Sequence, residues 1–449
     1  MPSKFNHVFK DIPTYSRFLK VDEIDALVAS IAQFPNVSYS SIGTTIENEP
    51  LMMLEIGSGE NTALIIGVPH SDEPLGSLVI TFFARWLATH PKEQYFGWRW
   101  LFIPILERRG MRFNEGWFNL SHSFADMAKS TFREPTEDQY EWTFPIDYEQ
   151  YKWTKPRPET LAVKKVLERE KPDLLCGLHH SGFHNAYFYL SRNLPNVYDK
   201  LRNLAKICRL PLSDTAPDVP FGVMYEPGFY QMYGLKDYID YYKKNDSQLL
   251  STIKRGSCSD EYYKSTIGGF SFNCEVPLYL SAKLQDKNIS TKKRKDILID
   301  EYQRKKNRLL YSQKIFEKIK DFSNEADQIL LDVAEKHIRN AMHSIEHEKR
   351  MLDKIDDVLV TNSEVFEHEV LTEIFDLFFL GQIWRVAESI CIKGSRQKIC
   401  QVMDAADIQI KNLAKNVHQQ GKFYQIPIRN NVKMQLGSIL VISEELKKR

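Results

Sequence analysis

Residues 61–80 read NTALIIGVPHSDEPLGSLVI. An apolar run of strand length, Thr62–Gly67, stops at a loop. Proline then opens a helical pattern in which Leu75, Leu78, Val79, Phe82 and Trp86 share one face. Pro74 suits a first helical turn, where its missing N–H leaves no bond unmade. Two ionisable side chains, His70 and Glu73, stand in the loop between strand and helix. Either they chelate one cation, or Glu73 merely favours a helix N-terminus while His70 packs.

Outward from this stretch the same alternation continues. Further strands are expected at Leu51–Ile56, Trp98–Ile105, Leu174–Leu178, Ala186–Leu190 and Phe270–Val276, with GSGE (residues 57–60) as a hairpin turn between the first two strands of the chain. Leu161, Val163, Val166 and Leu167 give a looser helical face. Near-continuously apolar strands separated by amphipathic helices predict an α/β domain whose sheet is covered on both faces. From about residue 286 charge rises and the strand signal fades. Leu331, Ile338, Ile345, Leu352 and Leu359 recur every seventh residue, which predicts a long amphipathic helix packed on another and interrupted at Glu348. Helices follow over roughly Glu364–Ile390 and Arg396–Gln420, and the tail FYQIPIRNNVKMQLGSILVI reads as extended, returning to the first domain. The expected division is therefore 1–285, α/β, and 286–449, helical with a short extended tail. No repeat or low-complexity segment is present.

The 449 residues are 43% apolar and 27% charged, ordinary for a globular chain. Sixty basic against fifty-nine acidic side chains provide no global field for nucleic acid or a membrane surface. The interleaved basic run at residues 291–307 reads as a solvated helix face. No stretch nears the roughly 18 apolar residues of a membrane span, and the N-terminus lacks the apolar segment of a secretory signal. The six cysteines are scattered without a C-x-x-C pair, so reduced thiols and a cytoplasmic location are expected. His343 and His347 share a helix face but suggest no third ligand, and are expected to be exposed.

A zinc site kept open for catalysis takes three protein ligands and leaves a fourth position. A second strand ends in KPDLLCGLHHSGFHNAYFYL, residues 171–190, with His179, His180 and His184 close together. Strand ends are where open α/β sheets place their sites. His179 follows Leu178 in strand alternation and is the candidate third ligand, with His180 in reserve. A third strand, GGFSFNCEVPLYL, residues 268–280, ends in Glu275. A carboxylate among Phe and Cys is either paired with an arginine or held for proton transfer.

H-x-x-E after one strand, a distant histidine after another and a late strand-end glutamate together resemble the zinc carboxypeptidase family. GSCSDEYY, residues 256–263, is similar to that family's Gly-Ser-x-x-Asp-aromatic stretch. The resemblance covers roughly residues 20–285. It implies a mixed sheet with helices on both faces, one zinc held by His70, Glu73 and His179, and Glu275 as general acid/base. It also implies an arginine for the oxyanion, for which IPILERRGMRFNEGWF, residues 103–118, offers Arg112, with Arg109 behind it. The family's carboxylate-gripping Asn-Arg pair is here Asn114-Glu115, and Glu115 would repel a carboxylate. Arg133 could replace the missing arginine, or the substrate has no free carboxylate there. No tyrosine stands at the family's capping position, although Tyr225, Tyr230 and Tyr233 lie in an aromatic-rich loop. The resemblance implies hydrolysis of an amide bond in a small peptide or peptide-like metabolite, with a deacylase of N-acyl amino acids as rival and an inactive scaffold as a reading from another class. The C-terminal helices are expected to form a homodimer contact or to cover the site.

Overall fold

The structure is a computed structural model describing residues 3–91, 96–215, 218–393 and 397–447. Its centre is a nine-stranded mixed sheet. In chain order the strands are β1 (Val37–Thr44), β2 (Pro50–Ile56), β3 (Asn61–Ile66), β4 (Trp98–Ile103), β5 (Leu174–Gly177), β6 (Tyr187–Leu190), β7 (Met224–Glu226), β8 (Phe229–Gln231) and β9 (Phe270–Glu275). Across the sheet they lie β1-β2-β4-β3-β5-β9-β6-β8-β7. β4, β3, β5 and β9 run parallel to one another, and β6 lies antiparallel to β9. The fold class expected from the sequence is the one observed.

Strand alternation sends side chains into two separate cores. Ala63, Ile65, Trp100, Phe102 and Cys176 enter one, where they meet helices α1 (Val21–Ile31) and α2 (Leu75–Thr89). Leu64, Ile66, Leu101, Ile103 and Leu175 enter the other. After α3 (Arg108–Asn114) and α4 (Phe124–Ser130), helix α5 (Pro158–Glu170) closes this second face with Val163, Val166 and Leu167. Both faces being apolar is why the central strands show no polar alternation. β1, an edge strand with mostly exposed side chains, lacked that apolar signature and was not expected.

Several expectations need correction. GSGE does not close a hairpin: β4 inserts between β2 and β3, pairing Leu54 with Phe102 and Ala63 with Trp100. The heptad helix does not break at Glu348 but runs unbroken over Gln328–Met351, and Leu359 lies in a short strand instead. His347 is not exposed; its Nδ1 lies 2.7 Å from Asp246, which also accepts from Arg350. Arg396 lies outside the described residues, and the helix there is described over Gln397–Gly421. The tail is not extended beyond Tyr424–Gln425. It forms a helix, Ile428–Leu446, that packs into the first core through Val432, Met434, Leu436 and Ile439. Its polar side chains Asn431, Gln435 and Ser438 are buried along with the apolar ones, so no single apolar face stands out as an amphipathic period.

Among the further helices are α6 (Tyr198–Cys208), α7 (Arg294–Lys320), α8 (Gln328–Met351), α9 (Thr372–Lys393), α10 (Gln397–Gly421) and α11 (Ile428–Leu446). Helices α7 to α10 share a core containing Phe316, Val333, Leu377, Ile383 and Ile410, which Ala125 and Ala128 of α4 and Phe132 also enter. α11 packs against α2 and α6, so the final helix joins the first core. Among the described residues no helix is long and apolar enough to cross a membrane.

Candidate functional site

The loop after β3 is a tight construction. Gly67 and Val68 carbonyls accept the Leu106 and Glu107 amides, and Val68 is held at φ 52°. That conformation costs a β-branched residue about 1–3 kcal/mol, and it is fixed by these two bonds and by full burial of Val68. A turn from the Glu73 amide to the His70 carbonyl follows, and α2 then starts at Leu75. His70 and Glu73 are thereby aimed inward, 6% and 4% exposed.

β5, hydrogen-bonded beside β3, delivers His179, also buried. Gly177 permits this: a Cβ there would meet His179 Nε2 at 2.8 Å. Gln435 of α11 donates to the His179 carbonyl at 2.5 Å and to the Cys274 carbonyl at 3.2 Å, tying the ends of β5 and β9 to the last helix.

His70, Glu73 and His179 each offer a ligand atom, and these atoms lie within 4.8 Å of one another. A tetrahedral zinc with bonds of about 2.0–2.1 Å spaces its ligand atoms by about 3.3 Å. His179 Nδ1 stands 2.9 Å from Glu73 Oε2. His70 Nδ1 is buried with no hydrogen-bond partner, while its Nε2 lies 2.8 Å from Glu141 Oε2. A carboxylate on one imidazole nitrogen leaves the other nitrogen's lone pair for a metal. The donor set of two imidazoles and one carboxylate therefore fits zinc.

Glu141 was not expected from the sequence. It comes from a single 3-10 turn, Tyr140–Trp142, and sits 3.5 Å from His179 Nε2 as well as on His70. Burial opposes its charge, but the His179 and His70 imidazoles outweigh that and hold its carboxyl well below the ordinary range. The same balance holds Glu73 low, through His70, His179 and Arg133 against burial. Arg133 Nη1 lies 3.1 Å from Glu73 Oε1 and 2.9 Å from Asp72 Oδ1. His337 of α8 lies with Nε2 2.9 Å from the Arg133 carbonyl.

These groups line a cavity of about 650 Å³ that also contains Glu275, His180 and His184. Burial raises the Glu275 carboxyl well above the ordinary carboxylate range; His179 opposes this, while Glu73, Asp218 and Glu141 add to it. Burial pushes His184 down to about 4. Tyr187, Tyr189 and Tyr233 line another part, with Asp218 accepting from the Tyr187 and Tyr189 hydroxyls. Tyr225 and Tyr230 are not among the lining residues.

The arginines and the Asn-Glu pair go elsewhere. Arg112 pairs with Glu49 at 3.0 Å and Arg109 with Glu47 at 2.7 Å, both carboxylates being at the β1–β2 turn. Asn114 is fully buried, donating to the Ser71, Gly110 and Phe132 carbonyls. Glu115 accepts the Val21 amide at the start of α1. None of the four lines the cavity. They are scaffold for the loops, because their nearest partners are backbone groups and carboxylates outside it. Arg133 is the one guanidinium among the lining residues.

No family model matches the chain, and no curated protein does. Among solved structures it is similar to a metallo-carboxypeptidase from Burkholderia cenocepacia, at 16% identity over 58% of this chain and 60% of that one, with a TM-score of 0.36. Similarity to a metallo-carboxypeptidase from Pseudomonas aeruginosa is 12% over 58% and 60% (TM-score 0.36), and to bovine thrombin-activatable fibrinolysis inhibitor 13% over 58% and 86% (TM-score 0.35). The chain thus spans about 60% of the length of the Burkholderia protein. At these TM-scores, what the site can do is read from its own geometry.

Proposed function

We propose that the protein is a zinc-dependent amide hydrolase of metallocarboxypeptidase type. The observation that carries this is the convergence of His70, Glu73 and His179, from two adjacent strand ends, in one cavity with the strand-end carboxyl of Glu275. His70, Glu73 and His179 would hold the zinc, which when bound supplies Lewis-acid polarisation of a carbonyl and activation of water near neutral pH. Glu275, in its low-dielectric setting, takes a proton from the attacking water and delivers it to the leaving amine. Arg133, always charged and already beside Glu73, is the group able to face the developing oxyanion, in place of Arg112 and Arg109. Glu141 fixes the proton on His70 Nε2 and so orients the ligand.

One observation favours a substrate other than a free peptide end. The single lining guanidinium is already paired with Glu73 and Asp72, among lining carboxylates that also include Glu141, Asp218 and Glu275. A carboxylate entering this cavity meets repulsion, which supports hydrolysis of an amide with no free carboxylate beside the scissile bond over removal of a C-terminal residue or deacylation of a free N-acyl amino acid.

The test is Glu275→Gln in zinc-loaded protein, assayed on N-acyl amino-acid amides and on free-carboxylate peptides. Turnover should fall about 10²–10⁴-fold with zinc retained and with amides preferred to free acids. Undiminished turnover in the variant would remove Glu275 from the mechanism, and a zinc-loaded parent inert toward both sets would overturn the hydrolase reading.

A further inference from the structure

Helix α9 presents an unusual surface to the cavity. Leu371, the residue just before the helix, lines it together with Ile374, Phe375, Phe378 and Phe379, and Gln382 ends the row. Their spacing of three, four, seven and eight residues places them on one face. Leu377, Leu380 and Ala387, on the other side of the helix, are buried in the helical core. On the cavity side Leu371 and Ile374 are themselves buried in the first core, and Phe378 and Phe379 are partly buried against neighbouring cores, which leaves Phe375 as the open ring of the row. Phe375 is 64% exposed there. Across from Phe378, at 6.1 Å between ring centroids, stands Phe183, four residues after the ligand His179. No lysine or arginine interrupts this stripe.

An exposed phenyl ring flanked by two partly buried ones, Phe378 and Phe379, beside a candidate catalytic centre is surface that a ligand would cover. We propose that this wall, contributed by the helical part of the chain, binds a bulky apolar group of the substrate, an aliphatic chain or aromatic ring attached at the scissile amide. The inference rests on the amide-hydrolase reading and names its substrate class. The volume of the cavity, about 650 Å³, accommodates a small amide with such a group, and the apolar stripe excludes an ionic one on desolvation grounds. Because an apolar chain could enter on either side of the amide, the acyl and amine sides are separate arms of the test.

The experiment uses the full zinc-loaded chain and two series of amides. In one, N-acyl glycinamides lengthen from acetyl to decanoyl; in the other, N-acetyl amides lengthen from methylamine to decylamine. kcat/KM is measured, and binding of the same amides to metal-stripped protein is measured by calorimetry. One series should gain up to about fourfold per added methylene in both readouts, and the gain should flatten in Phe375→Ser. Since Phe375 is exposed, that variant keeps its fold; Phe375→Ser with Phe378→Ala should flatten it further. Turnover without chain-length dependence in either series, or dependence unaltered by Phe375→Ser, would overturn the wall's role while the hydrolase reading stands. Chain-length-dependent binding with no turnover at all would support the wall and overturn the hydrolase reading.

Discussion

Replacing Glu141 by Gln tests how the candidate metal site is built. The carboxylate is 5% exposed, 2.8 Å from His70 Nε2 and 3.5 Å from His179 Nε2. It therefore holds a proton on the outer nitrogen of one ligand imidazole and sits against the second. Gln preserves volume and can still accept from one ring, but its amide nitrogen repels an N–H on the other, and the charge is gone. Substitutions of this kind typically cost about 10–100-fold in metal affinity, equivalent to about 1.4–2.7 kcal/mol. Contact with two ligand imidazoles puts the expectation near 100-fold. Zinc affinity would be measured by competition with a chelator, with Asp218→Asn as control. Asp218 lies in the same cavity, but its hydrogen-bond partners are tyrosines, and about threefold or less is expected there. Unchanged affinity in Glu141→Gln would refute the orienting role. Tighter binding would mean that Glu141 competes with the cation for the imidazoles, and an equal loss in Asp218→Asn would reduce the effect to overall charge.

Two further outcomes follow from the same geometry. Gly177→Ala places a Cβ 2.8 Å from His179 Nε2, against about 3.5 Å for a relaxed contact; zinc affinity should fall at least about tenfold with circular dichroism unchanged, and unaltered affinity would show that the ring has room to move. Glu107 is buried and accepts the Tyr140 amide at 2.7 Å, and burial raises its carboxyl to about 8 although Arg157 opposes this. With the folded value above the unfolded 4.5, the native state binds more protons between these limits, so stability falls as pH rises through that window. Glu107→Gln should flatten this fall in melting temperatures taken from pH 5 to 8, by about 2–4 °C for each kcal/mol involved. Parallel profiles would contradict the assignment.

How much of this was legible beforehand depends on what positions each residue. His70, Glu73, His179 and Glu275 could be read because strands buried on both faces announce themselves, and each of these side chains stands at or just beyond a strand end. Glu141, Asp218 and His337 could not. They come from a single 3-10 turn, an irregular segment and a distant helix, and only tertiary packing brings them to the cavity. Arg109 and Arg112 pair outside the cavity for a related reason: their partners Glu47 and Glu49 sit on the β1–β2 turn, and β1 is an exposed edge with little apolar signal. The α9 stripe was visible only as part of a helix, since nothing local distinguishes the face turned to a core from the face turned to a cavity. α11 shows the limit of periodicity from the other side, since it is enclosed and buries polar as well as apolar side chains.

The most direct test of the central claim is zinc per chain, measured in the purified parent and in His70→Ala, His179→Ala and His180→Ala. Three ligands meeting at one ion predict about one zinc in the parent, lost with His70 or His179 and kept without His180, whose ring nitrogens have no hydrogen-bond partner and which belongs to no ligand cluster among the described residues. A parent that takes up no zinc on reconstitution, or one whose zinc survives both His70→Ala and His179→Ala, would contradict the account.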